Sequence, residues 1–326
     1  MLQSLPAYIG AILIGFIVLI WGAERFVIGA ANTALNLGVT PLIIGLTIVG
    51  LGTSAPEIIV AIISSLEGTP GLAIGNAIGS NIANIALILA ITSIVRPITV
   101  KAGIVSRELP LLMLVTFTCI LLLWDRELNR LDGVLLASGL VIVMSWIIRY
   151  AKEQPEDEIK KELDIELSVK MSTQRAVFYL LFSIALLIGS SHVLVWGAVG
   201  VAKHFGVSDL IIGLTIIAIG TSLPELAASI AAALKRHHEL VLGNIIGSNI
   251  FNTLGVLSVP GLIAPGMLEP ELMSRDIPVM TMLTLAMFTA AYSFGSHRGR
   301  INRVEGSLLL ASFIAYMTYL YISATQ

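Results

Sequence analysis

GVTPLIIGLTIVGLGTSAPE at residues 38–57 returns as GVSDLIIGLTIIAIGTSLPE at residues 206–225. The two copies keep one constant register, in which position 38 corresponds to 206 and position 57 to 225. The same register carries GNAIGSNIAN at 75–84 onto GNIIGSNIFN at 243–252 without a gap. Chance does not produce a match of this length in a single register, so the chain is internally duplicated.

Both copies lie in strongly apolar chain. Of 326 residues, 56% are hydrophobic and 12% charged, about half the charge of an ordinary soluble protein. Apolar blocks of about 18 residues or more recur, long enough to cross a ~30 Å hydrocarbon core as helices. The alternating pattern of a membrane β-barrel is absent. The composition therefore predicts an all-α integral membrane protein. Ten spans are expected near 7–30, 40–65, 71–95, 108–124, 132–149, 176–199, 207–233, 240–263, 277–295 and 305–323. The N-terminal segment lacks the basic start and cleavage site of a signal peptide and reads as a retained first span. The single cysteine, Cys119, sits in an apolar block and reads as a packing residue.

Corresponding points of the two copies are five spans apart, from span 2 to span 7 and from span 3 to span 8. An odd number turns the second copy upside down. The expected fold is ten transmembrane helices arranged as two inverted five-helix repeats. Residues 1–150 form the first repeat, 151–174 a charged linker, and 175–326 the second repeat. Inverted repeats place a transported substrate near the midplane, where the halves face each other. Placing the loops after spans 1, 3, 5, 7 and 9 on one side puts 15 Lys and Arg there and 4 on the other. The positive-inside rule makes the first side cytoplasmic and both termini periplasmic.

The repeated motifs carry the chemistry. Pro56 and Pro224 are helix-breaking residues, because each lacks an N–H and clashes with the carbonyl four residues earlier. Those carbonyls belong to Gly52 and Gly220, and at membrane depth something must satisfy them. Glu57 and Glu225 follow one residue later. A carboxylate in mid-bilayer costs about 2.5–3.5 kcal/mol or more, and no basic residue lies deep inside any expected span. The two acids must be protonated or bind a cation. On spans 3 and 8, Asn76, Ser80 and Asn84 recur every four residues, as do Asn244, Ser248 and Asn252, so each trio shares one helical face.

Glu57, Glu225, Thr53, Ser54, Thr221, Ser222, Ser80, Asn84, Ser248 and Asn252 thus form an all-oxygen set. Calcium takes 6–8 oxygens in flexible geometry. Sodium shares its size and oxygen preference. Soft or borderline metals would ask for the His and Cys that both motifs lack. His192 in span 6 reads as a packed histidine, and Glu24 with Arg25 as an interfacial pair at the end of span 1.

These motifs resemble the two alpha-repeats of the calcium/cation antiporter superfamily, specifically its sodium/calcium exchanger family and the bacterial inner-membrane members within it. The resemblance implies a secondary active antiporter, not an enzyme, that exchanges Ca2+ for Na+ by alternating access. It implies no cofactor besides the transported Ca2+ and Na+. Membrane lipid is the other partner, with neither nucleic acid nor an obligatory protein partner. By resemblance, Glu57 and Glu225 are shared calcium ligands, while Thr53, Ser54, Thr221 and Ser222 serve sodium and calcium. The carbonyls of Gly50 and Ala218 line sodium sites, and Ser80, Asn84, Ser248 and Asn252 complete the centre. Spans 1 and 6 are expected to slide past the rest. The chain departs from archaeal-type exchangers at Asn252, where those carry aspartate. Two other readings keep the fold: a Ca2+/H+ antiporter in which Glu57 and Glu225 release protons, and a cation channel. An intramembrane aspartyl protease would need paired aspartates, and the two repeated acids are glutamates.

Overall fold

The computed structural model describes residues 5–151, 170–205, 218–292 and 299–325. The predicted linker 151–174 lies outside the described residues except for 151 and 170–174, as does the stretch 206–217 that opens the second long motif.

The helices in chain order are α1 (Leu5–Leu37), α2 (Pro41–Thr53), α3 (Ala55–Leu66), α4 (Pro70–Val95), α5 (Ile104–Leu122), α6 (Arg130–Ala151), α7 (Thr173–His204), α8 (Ala218–Thr221), α9 (Leu223–Leu234), α10 (His238–Ile263), α11 (Ile277–Ala291) and α12 (Arg303–Thr325). Among the described residues seven are long and apolar enough to cross a membrane, and the α2–α3 pair, bent by 41°, makes an eighth as one span. α9 is a shorter apolar helix. The span expected at 207–233 is described only from Ala218, and the one expected at 277–295 is the 15-residue α11 preceded by a wide π-turn at Leu272–Asp276. α1 ends where Gly38 takes φ +64° and the Val39 N–H reaches back to the Ala34 carbonyl at 3.0 Å, a close that only a residue tolerant of positive φ makes without strain.

Two short antiparallel ribbons add to the all-helical expectation. β1 (Ile98–Val100) pairs with β4 (Gly299–Ile301), and β2 (Glu127–Leu128) with β3 (Gly266–Met267). The chain leaving α4 runs beside the chain entering α12, and the chain leaving α10 beside the chain entering α6. Pairing satisfies backbone groups that no helix could serve there.

Structural features also recur in the register of the sequence repeat. The π-turns at Ile104–Glu108 and Leu272–Asp276 stand at corresponding positions of the two copies, as do the starts of β1 and β3. They mark a third duplicated motif, SRELP at 106–110 and SRDIP at 274–278. Pro110 and Pro278 cannot donate to the carbonyls of Ser106 and Ser274, and the wide turn accommodates the missing bond.

The motif helices form the centre. In their most apolar stretches α4 is 78% and α10 94% buried, against 17% for α1 and α12. The outer helices turn large apolar side chains outward, among them Leu13 and Ile17 on α1, Ile142 on α6 and Leu308 on α12, a surface suited to lipid. α2 and α10 touch backbone to backbone. A Cβ on Gly243 would lie 2.5 Å from the Leu42 carbonyl oxygen, and one on Gly247 2.9 Å from Leu46 Cα. Lipid gives helices no hydrophobic drive to associate, so close approach through small residues supplies the packing.

Candidate functional site

Both copies of the proline motif break their helix at the same point. Ser54, with φ −81° and ψ 4°, separates α2 from α3, and Ser222, with φ −91° and ψ 4°, separates α8 from α9. Pro56 and Pro224 stand at the start of the second segment, where a missing N–H does no harm. Glu57 and Glu225 fall in the first turn of those segments, so the positive helix end favours their carboxylates. The structure brings both to the protein interior, 1% and 3% exposed.

The carbonyl released by Pro224 has a protein partner. Ser191 of α7 donates its hydroxyl to the Gly220 oxygen at 2.7 Å. The first-repeat counterpart of Ser191 is Ala23, so α1 offers Gly52 no such donor.

α4 and α10 supply the other walls. Ser80, Asn84, Ser248 and Asn252 are all buried. Ser80 stands beside the Glu57 carboxyl and Thr53 beside that of Glu225. The halves are stitched across the centre: the Thr53 hydroxyl lies 3.3 Å from Asn244 Oδ1 and 3.4 Å from Ser248 Oγ. Asn244 in turn donates to the Glu225 backbone carbonyl at 3.3 Å and to Ser229 Oγ at 3.0 Å. Asn84 Nδ2 donates to Asn249 Oδ1 at 3.1 Å, and Asn81 Nδ2 to Thr253 Oγ1 at 2.8 Å. Gly50 lies in α2 with its backbone against Gly247, Ala218 opens α8, and Thr221 is half-buried.

Asn81, Asn249, Ser229, Ser191 and Thr253 were not among the expected site residues. Asn81 and Asn249 carry a readable signal, since they occupy the same place in the two copies of the quoted motif. They sit one position off the four-residue stripe, and the stripe alone does not find them. Asn244 lies on the stripe and holds a bridging position.

Among the described residues, Ser54 Oγ, Glu57 Oε2, Glu225 Oε2 and Asn252 Oδ1 are buried without a hydrogen-bond partner. Buried polar atoms are nearly always satisfied, and of the twelve unpartnered buried side-chain atoms among the described residues these four are oxygens of the predicted set. No group of three or more His, Cys, Asp or Glu able to hold a metal occurs among the described residues. The centre combines two carboxylates with neutral oxygens, an oxygen set whose chemistry suits hard ions.

Residues 7–149 and 175–322 match the sodium/calcium exchanger protein family. CaxA of Alkalimonas amylolytica is 48% identical over 96% of this chain and 98% of its own length. Inner membrane protein YrbG of Escherichia coli is 38% identical over 95% of each chain. A structure of the sodium-calcium exchanger NCX_Mj, soaked with zero Na+ and Ca2+, superimposes with a TM-score of 0.83 at 30% identity, covering 97% of this chain and 99% of that one.

Proposed function

Since the chain belongs to the sodium/calcium exchanger protein family and is an antiporter of Ca2+ against Na+, we propose that both ions pass through the centre between Glu57 and Glu225. The observation that carries this is the set of orphaned oxygens, with Ser54 and Glu57 from one repeat and Glu225 and Asn252 from the other. Thr53, Ser222, Ser80, Asn84 and Ser248, with the half-buried Thr221 and the backbone carbonyls of Gly50 and Ala218, complete the oxygen shell. Two carboxylates balance one Ca2+ or two Na+, so the two cargoes compete for one charge-neutral arrangement. A third sodium would travel as net charge.

Ten helices in two inverted repeats, 1–150 and 175–326, fit the paired breaks at Ser54 and Ser222 and the paired π-turns in the same register. The nearly equivalent halves give inward- and outward-facing states of similar energy, which is the origin of alternating access. The chain is multi-pass, and its relative YrbG is named an inner membrane protein. We place it in the inner membrane with both termini periplasmic, from the basic asymmetry of 15 to 4. A C-terminal alkaline phosphatase fusion is expected to be active and a C-terminal fluorescent fusion dark. The reverse pattern would sink this topology.

The deciding experiment is calcium flux into proteoliposomes under an imposed sodium gradient, with potassium replaced by choline on both sides. Uptake is expected to follow sodium and to proceed undiminished without potassium. Co-binding potassium beside calcium would add positive charge to a centre whose second-repeat position, Asn252, is neutral. Uptake driven by a proton gradient alone would favour Ca2+/H+ exchange. An absolute potassium requirement would show that the role of Asn252 is misassigned.

A further inference from the structure

Ser191 is 3% exposed, and its hydroxyl meets the Gly220 carbonyl at 2.7 Å. One turn further along α7, Val195 covers Gly220 so closely that a Cβ there would collide with Val195 Cγ2. The second-repeat break is therefore docked on the Ser191–Val195 face of α7. The first-repeat break also leans on α7, through Gly52 against Ile184. A symmetric molecule would set one break on α7 and the other on the equivalent surface of α1. This structure is thus one of two unequal arrangements.

In an inverted-repeat antiporter, exchanging the roles of the halves converts one end state into the other. Replacing each residue by its counterpart in the other repeat gives the contacts of the opposite state. There Gly52 meets Val27, with Ala23 opposite its carbonyl, and Gly220 meets Phe16. Val195 to Val27 and Ile184 to Phe16 exchange apolar for apolar. Ser191 to Ala23 exchanges a hydrogen-bond donor for a methyl group. The α1–α7 seam need not change in this exchange, because the contact of Gly29 with Leu180 already has its counterpart in that of Gly197 with Ile12.

We infer that Ser191 is a positioning residue whose hydrogen bond to the Gly220 carbonyl holds the protein in the access state seen here, with no equivalent bond in the opposite state. This rests on the alternating-access reading above. The bond exists in one state only, so removing it shifts the equilibrium between the states by about two- to tenfold, the net weight of one buried hydrogen bond. Ions arriving at the favoured face find a pre-populated site, and those arriving at the other face bind with an affinity lowered by the population of the competent state.

The test is the apparent Michaelis constant for Ca2+ measured separately on inside-out and right-side-out vesicles. For Ser191→Ala the two constants are expected to move in opposite directions, changing their ratio by about two- to tenfold. Ser191→Thr keeps the hydroxyl and should keep the wild-type ratio. Adding Ala23→Ser to Ser191→Ala supplies the donor to the opposite state and should drive the ratio further the same way. Thermal unfolding of each variant checks that it is folded. An unmoved ratio in Ser191→Ala, both constants rising together, or Ser191→Thr behaving as Ser191→Ala would overturn the inference. An inactive wild type would remove the exchanger reading with it, whereas an active wild type with an unmoved ratio removes this inference alone.

Discussion

Replacing Glu57 or Glu225 with glutamine is expected to abolish sodium-driven calcium uptake while leaving a folded protein. Each is buried, and no basic side chain lies deep in any expected span to share its charge. On the proposed reading, calcium in the centre has these two carboxylates against it. At an effective dielectric of about 20, one pair of unit charges 4 Å apart is worth about 4 kcal/mol, which corresponds to about a thousandfold in affinity. Glutamine keeps an oxygen but no charge, so most of that loss stands. Calorimetry measures the binding, and a calcium-dependent rise in melting temperature gives an independent readout, since a ligand that binds only the folded state stabilises it. The wild type should show the rise and both variants should lose it without melting lower in the absence of calcium. Calcium binding near wild-type strength in either variant would end the assignment of that residue.

Gly243→Val is expected to have the largest effect on assembly. The missing Cβ would sit 2.5 Å from the Leu42 carbonyl oxygen and 3.0 Å from Gly45 Cα. These are backbone atoms that cannot rotate away, so α2 and α10 must separate. Overpacking of this kind costs about 1–3 kcal/mol or more. Separation also pulls Thr53 away from Asn244 and Ser248, so transport should fail even in protein that reaches the membrane. Gly243→Ala should give a smaller loss of the same kind. Detergent-solubilised Gly243→Val that melts like wild type would show that the helices tolerate separation here.

Read along the chain, the sequence determined what depends on spacing. Apolar block length predicts membrane spans because the bilayer sets the length of a helix that crosses it. The constant register of the repeat identifies Glu57 with Glu225 and Pro56 with Pro224, and proline chemistry places the breaks that the structure shows at Ser54 and Ser222. Four-residue spacing puts Ser80 with Asn84, and Ser248 with Asn252, because about 3.6 residues make a turn. The tertiary structure decided which of these surfaces meet. Thr53 reaches Ser248 across 195 residues, Asn84 reaches Asn249 across 165, and Ser191 reaches Gly220 across 29. The geometry within one helix follows from covalent chemistry and backbone hydrogen bonds, which are local. A contact between helices depends on their crossing angle and depth, which the packing of all their neighbours fixes together. Duplication gives both halves the same motif at the break, but only packing decides that both breaks lean on α7, the second on Ser191 and Val195 and the first on Ile184.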